Sequence, residues 1–272
     1  IDFLPFTHIF ERGWAYLALS EGAQPIINTY PKEIQQSMRE THPTSMSSVP
    51  RFWEKVYVGV KAKMDQASPL QRKLFLHALA VGKKYNIDHP SRGKRPPLPL
   101  KLEYAALNRT VLSLVRKQLG LDKPNIFPTA GSTVSPEVEQ FVHSIGIKMV
   151  VGYGLTESLA TVSCDHLDET YTIGSVGRPI NGLEIKIGEN DEILLKGPTI
   201  TKGYFHREQL NNQTFDKDGF FKTGDVGYMK NGELFLKERI KDLFKTSNGK
   251  YIAPQALEAK LLVDKFVDQV VV

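Results

Sequence analysis

A single cysteine, Cys164, rules out an internal disulfide in this chain of 272 residues. That excludes a small disulfide-stapled fold and is compatible with a reducing compartment. No apolar run is long enough to span a bilayer, and no leader segment, internal repeat or low-complexity tract is visible. Charge of one sign is also scarce: 35 Lys and Arg against 30 Asp and Glu leave a net charge of only +5. The most basic connector, residues 91–101, is proline-rich and has no interleaved aromatic residues for base stacking. A solvated loop is therefore expected there and a nucleic-acid site is not. What is present is an ordinary globular composition, 41% apolar and 24% charged, long enough for a large core in one or two domains. A start at Ile1 is expected of a processed or engineered piece and says nothing about a native amino terminus.

The first half reads as helices alternating with short strands. A helix is expected over residues 10–20 with Gly22 as its stop, a strand over 24–28, a helix from Pro31 to about Glu40, and a short strand over 45–49. Pro50 suits a first helical position, and Phe52, Val56, Val60 and Met64 recur every four residues on one helix face. A second helix follows Ser68-Pro69. A third spans about Leu102 to Leu119, with Leu107, Val111 and Leu114 on one side and Gly120 as its end. Residues 125–128, a helix from Ser135-Pro136 to Gly146, and residues 147–151 make a βαβ unit with a right-handed crossover expected. After Gly174 short alternating segments (184–187, 192–195 and 233–237) are punctuated by Gly-Asn, Asp-Gly and Asn-Gly pairs, which mark hairpins. Beyond Lys241 come a hairpin around Asn248-Gly249, a helix from Pro254 and an apolar strand from Phe266.

Chemistry concentrates in two motifs. Val151-Gly-Tyr-Gly-Leu-Thr-Glu-Ser158 follows a strand, turns at two glycines and delivers a hydroxyl, Thr156, and a carboxylate, Glu157. That strand edge is where open α/β sheets bind ligands, and the pair suits phosphate with Mg²⁺. Downstream lie Phe221-Lys-Thr-Gly-Asp225 and Glu238-Arg-Ile-Lys-Asp242. Each has a plainer reading: Thr156 and Glu157 as helix-start residues, Asp225 as a turn former after Gly224, Arg239 as a surface charge. Ala130-Gly-Ser-Thr133 precedes a helix and could hold an anion, but it lacks the second glycine and the lysine of a phosphate loop.

In this order the motifs resemble those of the adenylate-forming enzymes: acyl-CoA synthetases, peptide-synthetase adenylation domains and luciferases. Phe3-Leu-Pro-Phe-Thr-His-Ile-Phe-Glu-Arg12 and Lys245-Thr-Ser-Asn-Gly-Lys-Tyr-Ile-Ala-Pro254 resemble the long-chain fatty acyl-CoA synthetase branch. The resemblance implies an α/β fold: a layered helix–sheet portion of the large domain over residues 1–172, a β-rich, barrel-like subdomain over 173–240, and the start of the mobile C-terminal domain over 241–272. By resemblance Gly131 and Ser132 cradle adenine, Tyr153 flanks it, Gly154 belongs to the same nucleotide site, Thr156 contacts the triphosphate and Glu157 holds Mg²⁺. Asp225 takes the ribose and Arg239 the ribose or a phosphate. Lys241 is the domain hinge, Gly249 lines the approach of the thiol, and His8 borders the acyl carboxylate, although a lone histidine is more often a packed one. Cys164 reads as a small buried hydrophobe, and Asp165 with His166 lacks metal-ligand spacing.

The implied reaction is two-step. A carboxylate attacks the α-phosphate of ATP, giving an acyl adenylate and pyrophosphate, and the thiol of coenzyme A then displaces AMP. The implied ligands are ATP or AMP, Mg²⁺, coenzyme A and a fatty acid, in a cytoplasmic protein with peripheral membrane contact left open and nucleic acid not expected. The family's phosphate loop would precede Ile1 and its catalytic lysine would follow Val272, so the segment is expected to be inactive alone. Other readings are a synthetase for medium-chain or aryl acids, a non-catalytic adenylate-fold binding module, and a basic nucleic-acid-binding domain.

Overall fold

The computed structural model describes residues 1–272 except 124–125, 167–170, 241–243, 246–250, 253, 263, 265 and 268–269. Nine helices and ten strands are found among the described residues: α1 (Ile9–Ser20), α2 (Ile34–Thr41), α3 (Pro50–Asp65), α4 (Pro69–Lys83), α5 (Leu98–Leu107), α6 (Ser113–Leu119), β1 (Phe127–Thr129), α7 (Pro136–Ser144), β2 (Met149–Tyr153), β3 (Ser163–Cys164), β4 (Arg178–Pro179), β5 (Glu184–Ile187), β6 (Glu192–Lys196), α8 (Glu208–Thr214), β7 (Phe221–Lys230), β8 (Glu233–Arg239), β9 (Phe244–Lys245), β10 (Tyr251–Ile252) and α9 (Pro254–Leu261).

Two sheets organise the chain. The first runs β1-β2-β3-β4, with β1 and β2 parallel and the other pairs antiparallel. The second is an antiparallel β5-β6-β7-β8 meander. It is open rather than closed into a barrel, and β4, inside the 173–240 stretch, belongs to the first sheet. Helices α3, α4 and α7 pack together on the first sheet. Trp53 of α3 is fully buried there, and its indole nitrogen donates to Ser48 Oγ at 2.9 Å and Thr129 Oγ1 at 3.0 Å. A buried indole needs such partners, and these two pin α3 to the carboxyl end of β1.

Local chemistry explains most element ends. Ser68 and Gln71 form a reciprocal capping box at the start of α4, with Pro69 in the first turn. Asn231 and Gly232 both take positive φ, the requirement of the two-residue turn joining β7 to β8.

Four expectations are corrected. Residues 24–28 and 45–49 form only isolated parallel bridges, Asp2 with Ile27, Ser45 with Ile126 and Ser48 with Thr129. The helix expected over 102–119 starts at Leu98 and is broken by a π turn, Asn108–Leu112. That turn shifts the helical phase, so Leu112 is fully buried and Leu114 is exposed. Asp225 lies within a ten-residue strand and not in a turn. No strand is found among the described residues from Phe266 onward.

Candidate functional site

Strand β2 ends in Tyr153, and the chain then winds into a tight loop. A Cβ on Gly154 would lie 1.3 Å from the carbonyl oxygen of Ala160, so only glycine fits. Leu159 and Ala160 both take positive φ, at 54° and 81°, a strained pair of non-glycine residues directly after the Thr156–Ser158 turn. Ser158 is buried, and its hydroxyl accepts from Leu155 N at 3.0 Å, which closes the loop on itself.

Across from this loop stands the β7–β8 hairpin. Tyr153 donates its hydroxyl to Asp225 Oδ2 at 2.6 Å, and Arg239 Nε donates to Asp225 Oδ1 at 3.1 Å. Thr223 Oγ1 accepts from Asp225 N at 3.0 Å and orients the residue. The carboxylate is buried, whereas the Arg239 side chain is 63% exposed. Burial, with the Asp225 charge beside it, holds the Tyr153 hydroxyl well above the usual range, so it stays protonated as a donor.

A one-residue bulge produces this pairing. Gly227 pairs with Leu236, but Val226 pairs with Glu238 and Asp225 with Arg239, so Lys237 is the extra residue on β8. Were Lys237 paired with Val226 in regular register, Glu238 would stand opposite Asp225. The bulge exchanges a like charge for an opposite one.

These groups line a cavity of about 430 Å³. Of the residues singled out by the motifs, Gly131, Ser132, Tyr153, Gly154, Asp225 and Arg239 converge here, while Glu157 does not line the cavity. Thr156 is exposed and also lies outside it. Glu157 Oε1 instead accepts from the Tyr204 hydroxyl at 2.8 Å, and its carbonyl accepts from Thr201 N at 2.7 Å. Burial and then the hydrogen bond to Glu157 push the Tyr204 hydroxyl up to about 12. Tyr204 and the bulge at Lys237 are not foreshadowed by the sequence; neither carries a local pattern. His8 caps α1, its Nδ1 accepting from Phe10 N at 3.2 Å, and it is exposed outside both cavities described here. Lys241 and Gly249 fall outside the described residues.

A second cavity, about 480 Å³, lies behind the same strand end, walled by Phe10, Trp14, Pro128, Val150 and Cys164. The two cavities share Gly152 and Tyr153. A chamber of mixed polarity and a mostly apolar one therefore share the tip of β2, the edge at which open α/β sheets hold ligands.

The model of the AMP-binding enzyme family matches residues 1–205. The chain belongs to the AMP-binding enzyme family. Relatives include long-chain-fatty-acid–CoA ligase 1 of Schizosaccharomyces pombe, 29% identical over 100% of this chain and 42% of its own length. Long-chain-fatty-acid–CoA ligase ACSBG2 of Xenopus laevis is 31% identical over 95% of this chain and 36% of its own. The chain thus spans about two fifths of the relatives it matches. Among solved structures, the adenylation domain of a carboxylate reductase from Mycobacterium chelonae has a TM-score of 0.69 at 21% identity, covering 98% of this chain and 38% of that one. The o-succinylbenzoate-CoA synthetase of Bacillus subtilis with its acyl-adenylate intermediate has a TM-score of 0.63 at 20% identity, covering 99% and 46%. These likenesses show that the segment shares the α/β fold of those structures.

Nucleotide enzymes of this kind imply Mg²⁺. Among the described residues no group of three or more His, Cys, Asp or Glu could hold a metal ion unaided. A single hard oxygen donor such as Glu157 does fit Mg²⁺, which takes one or two carboxylates and completes its shell with phosphate oxygens and water.

Proposed function

We propose that this AMP-binding segment forms the adenine, ribose and inner acyl walls of a longer, ATP-dependent long-chain fatty acid–CoA ligase. One observation carries the reading. The cavity holding the Tyr153–Asp225–Arg239 chain shares Gly152 and Tyr153 as a common wall with a mostly apolar cavity. A ligase that joins a nucleotide phosphate to a fatty carboxylate needs such a junction.

In this reading the adenine lies between Tyr153 with Gly154 and the Gly131-Ser132 segment. Asp225 accepts from the ribose diol, which displaces or shares the contact to the exposed Arg239; a carboxylate has about four acceptor sites. Thr156 contacts the triphosphate. Glu157, braced by Tyr204, would hold Mg²⁺, which when bound neutralises phosphate charge. The fatty carboxylate attacks the α-phosphorus, the bond to pyrophosphate breaks, and the thiol of coenzyme A then attacks the acyl carbon and expels AMP. The fatty tail extends from the Tyr153 junction between Phe10 and Trp14. Residues 1–172, 173–240 and 241–272 are assigned to the α/β layer, the β-rich subdomain and the start of the mobile domain, with Lys241 as hinge and Gly249 on the thiol path. His8 would border the carboxylate only if α1 loosened its cap. ATP and coenzyme A as substrates favour the cytoplasm.

The test is pyrophosphate release by the protein with its native flanking sequence, across acetate, octanoate, benzoate and palmitate. The reading expects palmitate to be preferred. A preference for benzoate or octanoate would instead support the aryl or medium-chain synthetase, and no release with any acid would support a non-catalytic binding module.

A further inference from the structure

The charge of this chain is unevenly placed. Between Pro69 and Gly120 stand eleven Lys and Arg against two acids, Asp88 and Glu103, whereas the other 220 residues hold 24 bases and 28 acids. The whole positive excess therefore lies on the α4–α6 layer, on a molecule that is otherwise mildly acidic.

The same layer exposes leucines. On α4 the outward stripe Lys73, Leu76, His77, Ala80 and Lys84 follows the spacing i, i+3, i+4, i+7, i+11, with Leu70 one turn before it. On α5 the stripe Leu98, Lys101, Leu102, Ala105 and Arg109 repeats that spacing. The opposite faces carry Phe75, Ala78 and Val81, and Leu100 with Tyr104 and Leu107, which pack inward. Leu70, Leu76, Leu98 and Leu102 are between 55% and 77% exposed. The two helices pack side by side, and His77 Nε2 lies 3.1 Å from Glu103 Oε1 where their outer faces meet. The connector between them adds exposed Arg92, Lys94 and Arg95.

We propose that the outer face of α4, α5 and their connector docks on an anionic phospholipid bilayer. Leucines on the face of a surface helix enter the headgroup boundary, and flanking Lys and Arg meet lipid phosphates while their stems lie along apolar surface. The charge pattern selects this occupant. A second copy seated on the same face would set Lys73, Lys84, Arg92, Lys94, Arg95, Lys101 and Arg109 against the same bases. Nucleic acid would use the bases but leave four leucines without a purpose, and the nearby rings, Tyr85 and Tyr104, are stacked on each other at 4.0 Å and half-buried, so they offer no platform for bases. The proposal stands apart from the ligase reading, since it rests on surface residues that line neither cavity of the site.

The experiment is co-sedimentation of the protein with vesicles of phosphatidylcholine alone and with about one third phosphatidylserine, with salt titrated at each composition. Binding to the anionic vesicles alone, weakening as salt rises, is expected. Each neutralised base should cost about fivefold in partitioning. Lys73→Gln, Lys101→Gln and Arg109→Gln combined should therefore lose on the order of 100-fold, and Leu98→Ser with Leu102→Ser should weaken binding while the salt dependence persists. Melting curves show whether the variants fold. Independently of any variant, anionic vesicles should slow tryptic cleavage of the wild-type protein after Arg92, Lys94 and Lys101. Equal binding by both vesicle types, binding unaltered in folded variants, unprotected cleavage sites, or retention by duplex DNA but not by vesicles would each overturn the proposal.

Discussion

Tyr153 and Asp225 are 72 residues apart in sequence, yet the phenol of the first donates to the carboxylate of the second at 2.6 Å, tying the end of β2 to the middle of β7. This bond joins the first sheet to the second at the mouth of the candidate nucleotide cavity. Removing the hydroxyl leaves a buried carboxylate short of a donor, which costs about 1–3 kcal/mol. Tyr153→Phe should lower stability by that amount and weaken AMP binding. A double-mutant cycle with Asp225→Asn should give a coupling energy of about 1 kcal/mol or more. Strict additivity in urea unfolding would show that the two side chains do not support each other.

The bulge at Lys237 makes a sharper prediction. Deleting Lys237 should close the bulge and leave Asp225 opposite Arg239, but straighten β8 and remove the added twist that aims both side chains into the cavity. Nucleotide affinity should fall at least tenfold, whereas Lys237→Ala, which keeps the bulge and loses the exposed ion pair to Asp191 and the contact over the Tyr228 ring, should bind nearly as the wild type does. Equal affinity for the deletion and the alanine variant would show that the bulge does not shape the nucleotide site.

Glu157 and Tyr204 test the phosphate side. Glu157→Ala should slow adenylate formation on the order of 100-fold while ATP affinity changes only a few-fold, because charge neutralisation is worth most where charge develops. Tyr204→Phe, which removes the brace but keeps the carboxylate, should have a smaller effect in the same direction. Rapid-quench measurement of adenylate, set beside equilibrium ATP binding, separates the two effects.

A buried acidic cluster sets a pH dependence. Burial raises the Glu139 carboxyl to about 8, with Asp165 adding to the rise, and burial raises Asp165 to about 7, while burial lowers His143 to about 4. Glu139 Oε2 accepts from Gly174 N at 2.9 Å, and Asp165 Oδ2 accepts from Val151 N at 3.1 Å. The two carboxyls bind protons more tightly folded than unfolded, so they lose stability as pH rises from their unfolded values toward 7 and 8. His143 acts oppositely, but only below about pH 6.5, where the unfolded imidazole gains its proton. Between pH 6.5 and 8 the two carboxyls make stability fall. Glu139→Gln should flatten much of that slope and raise the urea midpoint at pH 8; an unchanged slope would mean that Glu139 is already ionised in the folded state.

Much of the local architecture was legible because its causes are local. Pro50 opens α3, Ser68 with Gln71 caps α4, Gly120 ends α6, and Asn231-Gly232 turns β7 into β8, each through the φ preference or hydrogen-bonding reach of a few neighbouring residues. The order of Tyr153-Gly-Leu-Thr-Glu157 and Lys222-Thr-Gly-Asp225 likewise pointed to the AMP-binding enzymes, and the family match over residues 1–205 bears that out. Tertiary structure alone decided the rest. The π turn at Asn108–Leu112 moved burial from Leu114 to Leu112, because helical phase depends on a hydrogen-bond shift that the apolar spacing does not record. Glu157 met Tyr204, and Asp225 met Arg239 and not Glu238, because a contact across strands depends on register, which one inserted residue reverses. Residue types told which chemistry was available; only the pairing of distant strands determined which charges face each other.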